Sequence, residues 1–225
     1  KDEEDVRSSP RQDFGGKEVL PGDIKYKDVN GDGVVNNDDI VPIGYRTVPG
    51  VQYGMGLSTS WKNFEFNILF QGSGKCDFFI GGNGPHAFRN GQTGNILQTM
   101  VDDNRWIPSE ISGDISTENP NANWPRLTWG NNDNNNQKST FWLRDGRYIR
   151  LKNIELRYNV PTTFTRKFFV SNMQIGFIGE NLHTWSPFKL WDPENATTDE
   201  KNSGVRSGNA YPINRTYSCY IKLSF

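Results

Sequence analysis

Five stretches of this chain alternate apolar and polar residues with period two, and the connections between them are alternately short and long. Period two sends every second side chain to one face of a strand. Val51, Tyr53, Met55 and Leu57 alternate with Gly54, Gly56 and Ser58. After Trp61-Lys62-Asn63 the alternation resumes at Phe64, Phe66, Ile68 and Phe70, so 51–70 reads as a hairpin with a very short connection. Within 147–160, Ile149 and Leu151 lie on one phase and Ile154, Leu156 and Tyr158 on the other, which predicts a β-bulge near Lys152-Asn153. Met173, Ile175 and Phe177 mark a fourth strand, and Tyr217, Cys219, Ile221, Leu223 and Phe225 a fifth.

Antiparallel neighbours place successive connections at opposite edges of a sheet. The short ones, 61–63 and 161–169, then share one edge. The long ones, before 51 and at about 71–146 and 183–213, share the other. Short turns on one side and long loops on the other are the asymmetry of a transmembrane barrel. Trp61, Phe64, Tyr158, Phe164, Phe168, Phe169 and Phe225 gather towards the short-turn edge, as an interfacial girdle would. Mean hydropathy is only -0.73, which a barrel tolerates because half of each strand can be polar. Aromatic residues at 13% are too many for plain disorder. No apolar run approaches the ~20 residues of a membrane helix. A net charge of -1 argues against nucleic acid as a partner.

One motif carries ligand chemistry. In DVNGDGVVNNDD (28–39), oxygen side chains stand at loop positions 1, 3, 5, 9 and 12: Asp28, Asn30, Asp32, Asn36 and Asp39. Gly33 occupies the sharp turn and Val34 would offer its backbone carbonyl. This is the spacing of a loop that wraps Ca²⁺ in oxygens. The same residues also form Asx-rich turns without a metal.

Other constellations are weaker. Asp102-Asp103 reads as a solvated pair, since adjacent helical residues do not face one another. Ile96, Leu97, Met100 and Val101 suggest a short helix at 94–104. Cys76 and Cys219 read as isolated thiols, and His86 and His183 are too separated for a metal site. No nucleophile motif occurs, and no catalytic residue is assigned. Trp106, Trp124, Trp129, Trp142, Trp185 and Trp191 either pack the loops or stack on sugar rings. The charged start KDEEDVRSSPRQDFGG looks like the middle of a loop, as expected of a fragment.

Several blocks together resemble a known family: PGDIKYKDVNGDGVVNNDDIVPIG (21–44), WKNFEFNILFQG (61–72), ENPNANWPRLTWGNNDNN (118–135), FWLRDGRYIRLKNIELRYNVP (141–161) and YPINRTYSCYIKLSF (211–225). In this order they resemble the C-terminal part of SusC/RagA-type TonB-dependent transporters of the Bacteroidota outer membrane. One departure is Cys219-Tyr220, where the family commonly shows Phe-Gly, so that Tyr220 must fit on the face opposite Cys219. The resemblance implies an all-β fold, the last five or so antiparallel strands of a barrel of about 22 strands. It implies an extracellular segment 1–50 with the Ca²⁺ loop, and barrel strands within 51–225. It also implies partners: the rest of the barrel and its plug, TonB acting through an absent N-terminal region, a SusD-like surface lipoprotein as lid, membrane lipid, and a glycan or peptide as cargo. The alternative is a soluble secreted Ca²⁺-binding β-module, dockerin-like or adhesin-like. A dockerin carries two such loops, each followed by a helix, whereas here a single loop is followed by IVPIG.

Overall fold

The computed structural model describes residues 1–89, 91, 94–102 and 104–225. In chain order its elements are α1 (Glu3–Ser8), β1 (Arg11–Gln12), β2 (Val34–Val35), β3 (Val51–Trp61), β4 (Phe64–Gly74), β5 (Asp77–Ile80), α2 (Gln98–Asp102), α3 (Ser109–Ser112), β6 (Leu143–Asp145), β7 (Tyr148–Val160), α4 (Thr162–Thr165), β8 (Asn172–Trp185), α5 (Thr198–Ser203), β9 (Val205–Arg206) and β10 (Thr216–Ser224). They divide into two compact units. A sheet unit comprises Tyr45–Phe78, Arg144–Thr197 and Ala210–Phe225, and a loop unit comprises Lys1–Gly44, Phe79–Leu143 and Thr198–Asn209.

The sheet unit is an antiparallel meander in the order β10-β8-β7-β4-β3. β3 and β4 pair from Val51↔Gly74 to Trp61↔Phe64, leaving two residues for the turn. Lys62 takes a left-handed φ of 52° there. The register shift expected near 152 is present: Phe70 pairs with Leu151 and Leu69 with Asn153, so Lys152 is the extra residue. That single insertion restores phase. Ile149 and Leu151 before it, and Ile154, Leu156 and Tyr158 after it, pair with residues of one face of β4. β8 is longer than its apolar marks suggested and runs to Trp185, so the loop begins at 186 rather than 183. The connection after β7 is also more ordered than a plain turn. Pro161 leads into the one-turn helix α4, and Phe169 ends the following turn with φ 59°.

The loop unit has its own core. Val35, Ile80, Met100, Trp106, Trp124 and Trp142 are buried. Trp142 packs edge-on against His86 and Phe141, with centroids 5.0 and 4.8 Å away, and lies 6.2 Å from Trp124. Phe79 and Ile80 pair in parallel with Val205 and Arg206. Within NNDNNNQ (131–137), Asn132, Asn134 and Asn135 are all buried. The helix expected over 94–104 is limited to Gln98–Asp102. It buries Met100 but leaves Val101 exposed, since a single turn cannot turn both towards one core. Asp103, half of the carboxylate pair, lies outside the described residues. No helix among the described residues is long and apolar enough to cross a membrane.

Candidate functional site: a two-faced wall and an acidic loop

Register assigns each strand residue to a face. One face carries Tyr53, Met55, Leu57 and Trp61 of β3, and Phe64, Phe66, Ile68 and Phe70 of β4. Ile154, Leu156 and Tyr158 of β7 extend it. Met173, Ile175 and Phe177 of β8 follow, paired with Leu223, Ile221 and Cys219 of β10. Much of this face is open: Met55, Leu57 and Ile221 are each 60–64% exposed. A contiguous apolar surface across five strands far exceeds the patches that water-soluble monomers present. From Tyr53 to Trp61 is eight residues, about 27 Å at 3.4 Å per residue. That suits the apolar band of ~25 Å between the aromatic girdles of an outer-membrane barrel.

The opposite face is polar and internally bonded. Arg157 holds Glu155 at 2.6 Å and Glu65 at 3.3 Å. Asn67 donates to Glu155 (3.1 Å) and Asn159 to Glu65 (2.9 Å). Gln174 donates to Asn159 (2.9 Å), and the Tyr220 hydroxyl to Gln174 (3.4 Å). The chain of bonds crosses β4, β7, β8 and β10. Tyr220 fits on this face because its cross-strand partner is Gly176, and a Cβ at 176 would fall within the tyrosine ring. The departure at 219–220 is thus accommodated by a glycine on the neighbouring strand.

Nearer the long-loop edge, Arg150 is 1% exposed, and one terminal nitrogen binds both carboxylate oxygens of Asp192 at 2.6 and 2.7 Å. Glu194 lies 3.5 Å away. This buried pair ties the 186–197 segment to β7, and nothing local in the sequence announced it.

In the acidic loop every expected side chain is engaged with backbone amides. Asp28 accepts from Gly31 (2.6 Å) and Gly33 (2.9 Å). Asn30, Asp32 and Asn36 each accept from the amide two residues on, at Asp32, Val34 and Asp38. Asp39 reaches back to the amides of Val29 (2.7 Å) and Asn30 (3.3 Å), and also accepts from Asn36 (2.8 Å). Hydrogen bonds from the Asn36, Val29 and Asn30 amides hold its carboxyl below the ordinary value. Gly33 and Val35 carbonyls accept from Arg11 and Asp13, so the intervening Val34 carbonyl points away from β1. All these donors are oxygens, and a side-chain oxygen that accepts one amide keeps a second lone pair. The donor set therefore suits a hard cation. In this conformation amides hold the carboxylates apart: among the described residues no group of three or more His, Cys, Asp or Glu is gathered to hold a metal. The loop closes in a 3₁₀ turn (Asn37–Asp39) and extended chain follows from Ile40, not a dockerin's helix.

The acidic loop is joined to the Asn-rich core through β1. Gln12, adjacent to the 33–35 pairing, donates to Asn134 (2.7 Å) and to the Ile24 carbonyl (3.0 Å). Asn134 also donates to Ile24, and Asn135 accepts from its amide (2.8 Å). The Asp23 carboxylate, 1% exposed, pairs with Arg126 at 2.8 Å. Half-buried Tyr26 donates to the Asn134 carbonyl, and desolvation pushes its hydroxyl well above the usual tyrosine range. Desolvation, helped by nearby Arg89, lowers His86 to about 4, so it stays neutral at physiological pH. Trp106, Trp124 and Trp142 pack the loop unit, while Trp129 and Trp185 stay exposed.

No family model matches the chain. A TonB-dependent receptor P26 of Formosa agariphila is 30% identical over 208 residues, 91% of this chain and 20% of the receptor. A second receptor of that organism, P3, is 28% identical over 214 residues, 91% of this chain and 19% of the receptor. The solved RagAB peptide importer superposes with TM-scores of 0.58 in its open-open state and 0.59 in its closed-closed state, at 22% identity. Those matches cover 80% and 81% of this chain and 18% of the importer chain. The chain is thus similar in sequence to TonB-dependent receptors and shares its fold with about a fifth of the RagAB importer chain. It spans about a fifth of the length of the curated receptors it matches. These relatives are receptors and importers, not enzymes.

Proposed function

We propose that this segment forms five strands of the wall of a closed outer-membrane barrel, the C-terminal part of a TonB-dependent importer with about 22 strands. The observation that carries the reading is the sheet itself, apolar on one face and hydrogen-bonded polar on the other. Both outer strands have a single neighbour among the described residues, and in lipid such edges must be closed by further strands. The loops after β4 and β8 then lie outside the cell, and the turns at 62–63 and 161–171 in the periplasm. By analogy with RagAB, a SusD-like lipoprotein caps the outer mouth and TonB supplies the energy through an upstream region. The cargo is a glycan, with a peptide as the alternative that the RagAB likeness supports.

Protease shaving of intact cells tests the orientation. Cleavage within 75–147, with 161–171 protected, supports it, and the reverse pattern defeats it. Loss of growth on one oligosaccharide or peptide class after deleting the gene names the cargo.

We also propose that Asp28, Asn30, Asp32, Asn36, Asp39 and the Val34 carbonyl hold a structural Ca²⁺, which would draw the three carboxylates in from their amide partners and neutralise them. Extracellular sites of this kind work at a Kd of roughly 10⁻⁴–10⁻³ M. Tb³⁺ luminescence that Ca²⁺ displaces, and that Asp32→Ala abolishes, is the expected result. Absence of any Tb³⁺ signal from the folded full-length receptor would reduce the motif to a network of Asx turns.

A further inference from the structure

At the long-loop edge, the apolar face of the sheet opens into a concavity of about 440 Å³. Tyr53, Ile149 and Trp185 line it from that face, and Arg147 and Lys189 line it from the adjoining loops. Its walls are fixed. The Tyr53 ring lies over Gly72, and its hydroxyl donates to the Tyr148 carbonyl at 2.9 Å. Trp185 is held by His183, centroids 4.5 Å apart, and by Phe70 at 6.4 Å. Ser186 donates to the Arg147 carbonyl (2.8 Å) and accepts from the Phe188 amide (3.2 Å), which pins the rim.

The cations are available. The Arg147 side chain is 68% exposed and engages Asp145 through Nε, leaving its terminal nitrogens without an acceptor among the described residues. Lys189 is exposed and has no ion pair among the described residues. Cations beside an aromatic wall, at the upper limit of an apolar band, match one class of ligand: an amphiphile with an anionic head and hydrocarbon tails. The guanidinium fork and the ammonium suit phosphate oxygens. The exposed aromatics suit the boundary between acyl chains and headgroups.

We infer that Arg147 and Lys189, with Tyr53 and Trp185 as its aromatic wall, form a site for the phosphate-bearing headgroup of an outer-leaflet lipid, whose acyl chains run down the apolar face. The inference rests on the barrel reading, since only insertion brings a lipid to this face. The site would anchor the barrel at a fixed depth and hold the start of the 186–215 loop.

The test uses the full-length receptor, purified in mild detergent and analysed by native mass spectrometry with Kdo2-lipid A as probe. R147Q/K189Q should retain at least about tenfold less lipid than the parent, and the charge-preserving R147K/K189R should retain it. Dephosphorylated lipid A should bind no better to the parent than intact lipid A binds to R147Q/K189Q. Millimolar inorganic phosphate should fail to displace the lipid. Heat-modifiable migration verifies folding of every variant. Equal retention by parent and R147Q/K189Q overturns the inference, as does indifference to the lipid phosphates or displacement by free phosphate, with the barrel reading intact. A receptor that leaves the membrane without detergent overturns both.

Discussion

Replacing Gly176 with alanine tests the fit between Tyr220 and its neighbouring strand. The Tyr220 ring covers Gly176 so closely that an added Cβ would fall within it, with the hydroxyl oxygen only 2.6 Å away. The methyl group must push the ring aside, strain the strand, and break the 3.4 Å contact from the Tyr220 hydroxyl to Gln174. Inserting a methylene where there is no room costs about 1–3 kcal/mol. Alanine is otherwise a better strand residue than glycine, so the clash works against a gain of up to ~1 kcal/mol. The prediction therefore concerns a sign as well as a size. Gly176→Ala alone should destabilise the full-length receptor by up to about 2 kcal/mol, the clash less the alanine gain. In a Tyr220→Gly background the same substitution should be neutral or stabilising. Urea unfolding in proteoliposomes, followed by heat-modifiable migration, measures all four corners of the cycle. A coupling below ~0.5 kcal/mol, the ordinary scatter for independent sites, would show that ring and glycine do not depend on one another.

Arg150→Leu should leave the partly exposed Asp192 carboxylate without its partner, at a cost of about 1–3 kcal/mol; limited proteolysis should then cut within 186–197, and an unchanged digestion pattern would count against the anchor. His86 introduces pH dependence: its depressed folded value means the unfolded chain takes up a proton below about 6.5 while the folded chain resists until about 4. Stability of the loop unit is thus full above pH 6.5 and falls by about 3 kcal/mol as pH drops to 4, at 1.36 kcal/mol per unit; thermal melts of the receptor across that range should flatten in His86→Gln. Asp39 contributes in the same direction at lower pH, because its carboxyl is held below the ordinary 3.8 by backbone amides. Its stabilisation is present above pH 3.8 and lost as pH falls through the folded value, so protection of 28–39 from an acid protease should decline below pH 4, and Asp39→Asn should abolish that decline. Asn134→Ala should loosen 12–26, seen as faster amide exchange at Ile24 and Tyr26, because one side chain bridges Gln12 and the Ile24 carbonyl.

The strands, their faces and the bulge were legible in the sequence because they depend on neighbours a few residues apart. Alternation at 51–70 and the phase slip at 152 each have only one geometric solution once one face must be apolar. The order of short and long connections followed from antiparallel pairing alone. Within the motif at 28–39, Asp39 reaches back to Val29 and Asn30. Tertiary structure decided what depends on partners far along the chain. Nothing local marks Asn132, Asn134 and Asn135 as core residues, yet they are buried because Gln12, Asp23 and Ile24, over 100 residues away, supply their hydrogen bonds. Arg150 sits in an alternating strand like any polar residue, and only the return of Asp192 from the 186–197 segment makes it a buried anchor. Gly176 gave no local sign that it holds the space for Tyr220. Periodicity fixes the side to which a residue points, whereas burial of a polar group requires a partner that only the folded chain can bring to it.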